Sequence, residues 1–185
     1  MANRSGVLEF TILGLLAEQP LHGYELRKRL NLVLGSFRAI SYGSLYPCLR
    51  DLESRGLIAP VGDTAMTPVP TTKRSRTSYA LTTTGHTHFA ALVDSDGPET
   101  WEDEAFAAHF AFFAAARAEI RVRILEGRRT RISERLNTVN AELQKSAARD
   151  DSYTTALQQH SAATLRTEIE WLSALIEKER KKVKP

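Results

Sequence analysis

The spacing of apolar residues changes at Gly56, and this change constrains the fold more than any other feature of the sequence. Before Gly56, apolar residues recur every three or four positions, as in amphipathic helices. The segments with this period are 7–19, 21–35 and 41–56. After it, 56–61 and 76–82 have the composition and alternation of strands. The order helix, helix, helix, strand, loop, strand is typical of a winged helix-turn-helix.

The remainder of the chain has a helical period almost throughout. The segment DSDGPET at 94–100 has the composition of a linker, and a further helix is predicted just before it, from Thr82. Beyond the linker, three apolar seams with nearly heptad steps run over 106–124, 132–143 and 165–176. Three amphipathic helices enclose little volume, so we expect them to pack together and against a second copy of the chain.

These patterns give a mainly α fold with a small β-hairpin. The predicted organisation is a winged-helix DNA-binding domain over residues 1–93, a linker over 94–100 and an α-helical dimerisation domain over 101–185. The longest apolar run, residues 105–116, falls well short of the roughly 20 residues that span a membrane, so we expect no membrane partner. The N-terminus lacks the cleavage site of a signal peptide.

Charge and cysteine content restrict the classes of partner and compartment. Residues 1–91 hold ten Lys and Arg against six Asp and Glu, whereas 92–185 hold 15 against 16. A basic N-terminal half permits a polyanionic partner. The single cysteine, Cys48, excludes an intramolecular disulfide and fits a reducing cytoplasm.

No motif of an enzyme is present in the sequence. It has no Gly-rich phosphate loop, no nucleophile elbow and no HExxH pair. His86 and His88 lie two apart on a predicted helix start and so point in different directions. We therefore predict no catalytic residues, no metal site and no cofactor.

The third helix, SYGSLYPCLRDLESRG at 41–56, carries the candidate DNA-binding site. Its buried face is Leu45, Cys48, Leu49 and Leu52. A second stripe, spaced by four, presents Tyr42, Tyr46 and Arg50, and Arg50 is the best candidate to read a guanine. At the start of the helix, Gly43 lets the backbone approach a phosphate, while Ser41 and Ser44 add hydroxyl groups.

Two features of this helix stay open at the level of sequence. Proline fits an α-helix without strain only in the first turn. With Pro47 in this segment, either the helix starts near Gly43 or its first turn is distorted. Tyr46 either meets DNA or packs under the second helix. The basic residues Lys73, Arg74 and Arg76 follow a long loop rich in Pro and Thr, where they act as wing contacts to DNA or as solvated charges.

Three blocks of the sequence resemble the signature blocks of the PadR family of bacterial transcriptional regulators, in the family's order. They are HGYEL at 22–26, SYGSLYPCLRDLESRGLI at 41–58 and SYALTTTG at 78–85. The resemblance implies a homodimer of winged-helix domains that binds inverted repeats in double-stranded DNA and represses promoters. The wing departs from the family's pattern, because its loop is long and contains Pro68 and Pro70.

The resemblance also implies roles for individual residues. It places His22 and Tyr24 near a phosphate at the start of the second helix. It places Ser41, Tyr42, Gly43, Ser44 and Tyr46 at the groove, and the basic wing residues on the flanking backbone. The C-terminal helices would then form the dimer interface.

Some members of that family bind small aromatic ligands between dimer-facing helices. The aromatic residues that could line such a space here are Trp101, Phe106, Phe110, Phe113 and Trp171. The alternative is that they form only the core of the dimer interface. A competing hypothesis for the whole chain is a helical protein–protein interaction adaptor without specific DNA binding, which a weak salt dependence of DNA affinity would indicate.

Overall fold

The computed structural model describes residues 4–61, 77–148 and 152–183. The helices are α1 (Arg4–Glu18), α2 (Gly23–Leu34), α3 (Tyr42–Ser54), α4 (Thr83–Val93), α5 (Asp103–Ala111), α6 (Ala118–Ala148) and α7 (Ser152–Val183). The strands are β1 (Leu21–His22), β2 (Ile58–Val61) and β3 (Ser78–Leu81), and two short 3-10 turns cover Pro98–Trp101 and Phe113–Ala115. Contacts divide the chain into an N-terminal unit, residues 1–95 and 102–116, and a helical unit, residues 96–101 and 117–185.

The N-terminal unit is a winged helix-turn-helix. Its antiparallel sheet has the order β1-β3-β2, with Ile58 opposite Leu81 and Leu21 opposite Tyr79. The predicted pairing of the two longer strands is therefore confirmed. The third strand, β1, was not predicted, because two residues are too few to show an alternating pattern.

The core of the N-terminal unit lies between the helices, on the stripes that the periodicity predicts. Three leucines of α2 and three of α3 are almost completely buried: Leu26, Leu30, Leu34, Leu45, Leu49 and Leu52. The α1 stripe is buried as well, through Leu8, Ile12, Leu15 and Leu16. Burial of each such side chain contributes roughly 1.5 to 3 kcal/mol, so these stripes account for the packing of the three helices.

The end of α3 is fixed by a Schellman motif at Gly56. The N–H of Leu57 donates to the carbonyl of Leu52, and the N–H of Gly56 donates to the carbonyl of Glu53. Gly56 has a φ of 68°, a left-handed conformation that costs a residue with a Cβ about 1 kcal/mol or more. This turn directs the chain from α3 into β2.

The contacts place the division between units differently from the boundaries predicted from sequence. Helix α5 and the 3-10 turn after it pack with the N-terminal unit, where Phe112 forms edge-on contacts with Phe10 and Phe89. The Phe112 ring lies directly against Gly14, so close that a Cβ there would stand 2.5 Å from the ring. This aromatic packing cannot be seen in a local period, which is why sequence assigned residues 102–116 to the C-terminal domain.

The helical unit contains two long helices where the sequence predicted three. The first predicted seam, 106–124, is interrupted between α5 and α6, because Ala116 is extended, with φ −85° and ψ 150°. Its second part and the predicted helix at 132–143 then form one continuous helix, α6. Helices α6 and α7 run antiparallel, with Ile120, Ile124, Leu172 and Ile176 buried between them.

None of the helices in the described ranges is long and apolar enough to cross a lipid bilayer.

Candidate nucleic-acid interface

The turn between α2 and α3 is held by two side chains of α2. The amide of Asn31 accepts a hydrogen bond from the N–H of Ile40 at 2.8 Å, and it donates to the carbonyl of Arg27 at 2.9 Å. The Nε of Arg27 donates to the carbonyl of Ile40, also at 2.9 Å. Because Ile40 directly precedes Ser41, the N-cap of α3, these bonds set where α3 begins relative to α2.

The start of α3 is capped, exposed and sterically open. Ser41 is the N-cap, and its Oγ accepts from the N–H of Ser44 at 3.2 Å while the Ser44 hydroxyl donates to the Ser41 carbonyl at 3.0 Å. A Cβ on Gly43 would find only the Ser41 Oγ within 4 Å, at 3.5 Å. A phosphate could therefore approach the backbone of this turn closely, where N–H groups and the helix dipole favour an anion.

Pro47 lies inside α3, in its second turn, because the helix begins at Tyr42. Of the two possibilities left open by the sequence, a helix start near Gly43 is the one that the structure shows. A proline at this position has no N–H to give to the Gly43 carbonyl, which leaves the first turn of the helix less constrained.

The two tyrosines of the predicted stripe form a stacked pair. The rings of Tyr42 and Tyr46 lie 5.8 Å apart at an interplanar angle of 20°. Tyr42 is 40 % exposed, whereas Tyr46 is half-buried, with its hydroxyl 3.3 Å from the point where a Cβ of Gly23 would lie. Tyr46 therefore packs against the first residue of α2, as one of the two interpretations of the sequence held.

The other predicted contacts in the described ranges lie at the surface of the N-terminal unit. Arg50 is exposed two turns along α3 from Tyr42. Tyr24 is 61 % exposed in the first turn of α2. His22 is exposed too, and a hydrogen bond of 2.9 Å joins its Nδ1 to the hydroxyl of Ser78 on β3. The predicted wing residues Lys73, Arg74 and Arg76 lie outside the described residues.

A charged cluster that no sequence pattern predicts joins α3 to α1 and α4. Arg55 binds both carboxylate oxygens of Glu9, at 2.8 and 2.9 Å, and also Asp51 at 3.0 Å. The His88 Nε2 lies 3.0 Å from a Glu9 oxygen. The signal in the sequence was a carboxylate, Glu9, between the apolar residues Leu8 and Phe10 of α1.

The ionisation of Glu9 follows from this cluster. Burial by itself would raise its pKa, but hydrogen bonds from Arg55 and His88 outweigh burial and hold the pKa below its ordinary value. Because the pKa in the folded state is lowered, the stability that this carboxylate contributes is present at neutral pH and is lost as pH falls through the lowered pKa.

Nearby, burial and then Glu9 raise the pKa of Cys48 to about 11, so this thiol is protonated at neutral pH.

The block SYALTTTG attaches the start of α4 to the end of α3. The N–H and the hydroxyl of Thr82 both donate to the carbonyl of Leu57, at 3.1 and 3.2 Å, and the hydroxyl also donates to the carbonyl of Gly56 at 2.6 Å. The same hydroxyl caps α4 by accepting from the N–H of Gly85. The physical role of this block is therefore structural, at the base of the wing.

The five aromatic residues predicted to line a ligand space do not all belong to one unit. In the N-terminal unit, the Phe110 ring contacts both Phe106 and Phe113. Trp101 and Trp171 belong to the helical unit, where the Trp101 indole lies against Gly127 of α6. Within the described ranges no group of three or more His, Cys, Asp or Glu side chains is arranged to hold a metal ion.

Comparison with known proteins finds similar sequences and structures. The sequence model of the Transcriptional regulator PadR-like family matches residues 12–91. The negative transcriptional regulator PadR of Bacillus subtilis (strain 168) is 33% identical over 100 residues, which are 53% of this chain and 52% of that protein. The chain therefore aligns with about half the length of this curated relative.

Solved structures of Bacillus subtilis PadR are also similar. The structure in complex with operator DNA has a TM-score of 0.43 and 20% identity, covering 94% of this chain and 97% of that chain. The structure in complex with p-coumaric acid has a TM-score of 0.42 and 20% identity, covering 94% and 99%. The match to the PadR-like family model covers less than half of the chain, and it lies within the N-terminal unit, which has the winged helix-turn-helix.

Proposed function

We propose that this protein is a sequence-specific DNA-binding repressor of transcription that acts as a homodimer, with α3 of each copy in a major groove. The observation that carries the proposal is the start of α3, which is capped by Ser41, open at Gly43 and exposed at Tyr42. A regulator of this kind works in the cytoplasm, in keeping with the single cysteine.

Each predicted contact has a defined part in this proposal. The first turn of α3, with Ser41, Gly43 and Ser44, binds a phosphate, which fixes the register of the helix on the duplex. Arg50, farther along the exposed face, donates to the edge of a guanine. His22, Tyr24 and the basic residues Lys73, Arg74 and Arg76 bind the flanking sugar–phosphate backbone.

Homodimer formation is proposed to occur through the helical unit. On α7, Tyr153 is 90 % exposed, Leu157 is 65 % exposed and Trp171 is 43 % exposed. The last predicted seam residues of α6, Leu136, Val139 and Leu143, are only half-buried by α7. A second copy that covers these side chains would remove apolar area from water and would space two α3 helices by about 34 Å, one turn of DNA.

Repression, rather than activation, is proposed because the curated relative is described as a negative transcriptional regulator. A dimer that occupies an inverted-repeat operator blocks access to the promoter. A small ligand would release the dimer from DNA by changing the distance between its two α3 helices. It could do so only if it bound the two forms of the dimer with unequal affinity. The proposed effector is a small aromatic compound.

The proposal is tested by fluorescence anisotropy with the full chain and labelled duplexes that tile the DNA upstream of its own gene. We expect one duplex to bind more tightly than a scrambled duplex of the same composition. Its log Kd should rise steeply with log salt concentration, because phosphate contacts release counterions. Equal and weak binding to every duplex, with little salt dependence, would instead support the helical interaction adaptor.

Arg50→Ala is predicted to weaken operator binding by about 1 to 3 kcal/mol, because it removes a bidentate donor from the groove face of α3. Its effect on folding should be small, since Arg50 is exposed. The measurement is the operator Kd together with a panel of duplexes mutated one base pair at a time. The variant should lose its preference at one guanine, and an unchanged Kd would remove Arg50 from the interface.

A further inference from the structure

Arg27 is a half-buried residue of α2 whose side chain reaches the start of α3 by two separate contacts. Its Nε donates to the carbonyl of Ile40 at 2.9 Å. Its guanidinium carbon lies 4.4 Å from the centroid of the Tyr42 ring. The hydrogen bond fixes the direction of the guanidinium plane, and the cation–π contact places the Tyr42 ring against it.

The contact continues from Tyr42 into α3 and back to α2. Tyr42 stacks on Tyr46, and the Tyr46 hydroxyl lies next to Gly23, the first residue of α2. A Cβ on Gly23 would stand 3.3 Å from that hydroxyl, so a larger residue there would crowd the stack. Arg27, Tyr42 and Tyr46 thus form a layer, the Arg27 stack, that is anchored to α2 at both ends.

Asn31 and Arg27 both bind the backbone of Ile40, and the Asn31 amide also donates to the Ile40 carbonyl at 3.4 Å. Asn31 satisfies the N–H of Ile40 and so fixes the path of the backbone before α3. Arg27 binds the carbonyl of the same residue and, in addition, an aromatic side chain of the exposed face. Arg27 therefore couples the backbone of the turn to the orientation of the tyrosines.

We propose that Arg27 is a positioning residue of the DNA interface, which orders Tyr42 and Tyr46 before DNA arrives and does not itself bind phosphate. This inference rests on the proposed DNA-binding function. A side chain that is ordered before DNA arrives loses no rotamer freedom on binding. A side chain that becomes ordered only on binding weakens association several-fold, because that freedom is lost. For two tyrosines, Arg27→Ala should raise the operator Kd about ten-fold.

The test compares four full-length variants with the wild type on the operator duplex at several salt concentrations. They are Arg27→Ala, Arg27→Lys, Tyr42→Ala and the double variant Arg27→Ala with Tyr42→Ala. We expect Arg27→Ala and Arg27→Lys to weaken binding similarly, because lysine keeps the charge but lacks the planar donor set. The slope of log Kd against log salt should stay at the wild-type value, since no phosphate contact is lost.

The double variant reports on coupling directly. If Arg27 acts through Tyr42, its removal should change Kd less than two-fold once Tyr42 is alanine. Lys28→Ala is the matched control for charge, because Lys28 is the exposed neighbour of Arg27. We expect that control to leave Kd within about two-fold of the wild type, and an equal loss there would overturn the inference in favour of a net-charge effect.

Two further results would overturn it. The first is that Arg27→Lys binds the operator as tightly as the wild type, while in Arg27→Ala the slope of log Kd against log salt falls by about one. That pair of results would make Arg27 a direct phosphate ligand. The other is additive effects of Arg27→Ala and Tyr42→Ala. Failure of the proposed function is distinguishable from both, because the wild type itself would then show no preference for any duplex.

Near-ultraviolet circular dichroism of the tyrosines gives a readout without DNA, and it should change in Arg27→Ala and in Arg27→Lys.

Discussion

Gly85→Ala is expected to lower the free energy of unfolding by about 3 to 4 kcal/mol. A Cβ at this position would stand 2.0 Å from the carbonyl oxygen of Leu57, and it would also crowd a methyl group of Leu81 at 3.1 Å. Both neighbours are packed, and the nearest atom belongs to the backbone. The start of α4 would therefore have to move away from the end of α3.

That movement would also break the hydrogen bonds that Thr82 makes. Its N–H and hydroxyl both donate to the Leu57 carbonyl, and the hydroxyl caps α4 at Gly85. Overpacking alone costs about 1 to 3 kcal/mol, and loss of an N-cap adds about 1 kcal/mol. The measurement is urea unfolding followed by far-ultraviolet circular dichroism, at one protein concentration because the stability of the proposed homodimer would depend on concentration.

The matched control is the same substitution at Gly43. There the nearest atom to a new Cβ is the Ser41 Oγ at 3.5 Å, an ordinary van der Waals distance. Gly43→Ala should therefore raise the free energy of unfolding, by about 0.5 kcal/mol, because alanine favours helix. It should nevertheless weaken operator binding if a phosphate approaches this turn. Similar stability of the two variants would contradict the close approach of α4 to Leu57.

Arg128→Ala is expected to destabilise the helical unit by about 3 kcal/mol. The Arg128 side chain is 7% exposed, and its Nη2 lies 2.8 Å from the Glu168 carboxylate on α7. A second Nη atom donates to the carbonyl of Trp101 at 2.8 Å. Removing the guanidinium leaves the half-buried Glu168 carboxylate and the Trp101 carbonyl without this donor, and a polar group that loses its partner away from water destabilises the fold.

Tryptophan fluorescence during urea unfolding is the appropriate measurement, because the two tryptophans of the chain, Trp101 and Trp171, both lie in the helical unit. Lys145→Ala serves as the control, since it removes an exposed pair with Glu142 on the same helix. Such pairs contribute about 0.5 kcal/mol or less. A loss in Arg128→Ala no larger than in this control would show that the contact to Glu168 contributes little to stability.

Local patterns in the sequence determined most of the N-terminal unit. The leucine stripes of α2 and α3 require burial of one face, and Gly56 terminates α3, so helix positions follow from local rules. The alternation in 76–82 predicted β3. The exposed stripe with Tyr42 and Arg50 also followed from helical spacing alone, and the role of these residues at DNA stays a prediction.

Other features depended on contacts between residues far apart in sequence. Phe112 packs on Gly14, which assigns α5 to the N-terminal unit, and the extended Ala116 separates α5 from α6 despite a continuous heptad-like seam. A periodic pattern reports only that one face is apolar, and it contains no information about which surface covers that face.

The sequence by itself thus determined the winged helix-turn-helix and the residues of the exposed α3 face, because each depends on the spacing of neighbours along one element. Only the tertiary structure decided that Arg27 stacks on Tyr42, that Glu9 and Arg55 join α1 to α3, and that α6 is one helix of 31 residues. The physical reason is that a hydrogen bond or stack between two elements depends on the distance between them, and packing of the whole core sets that distance.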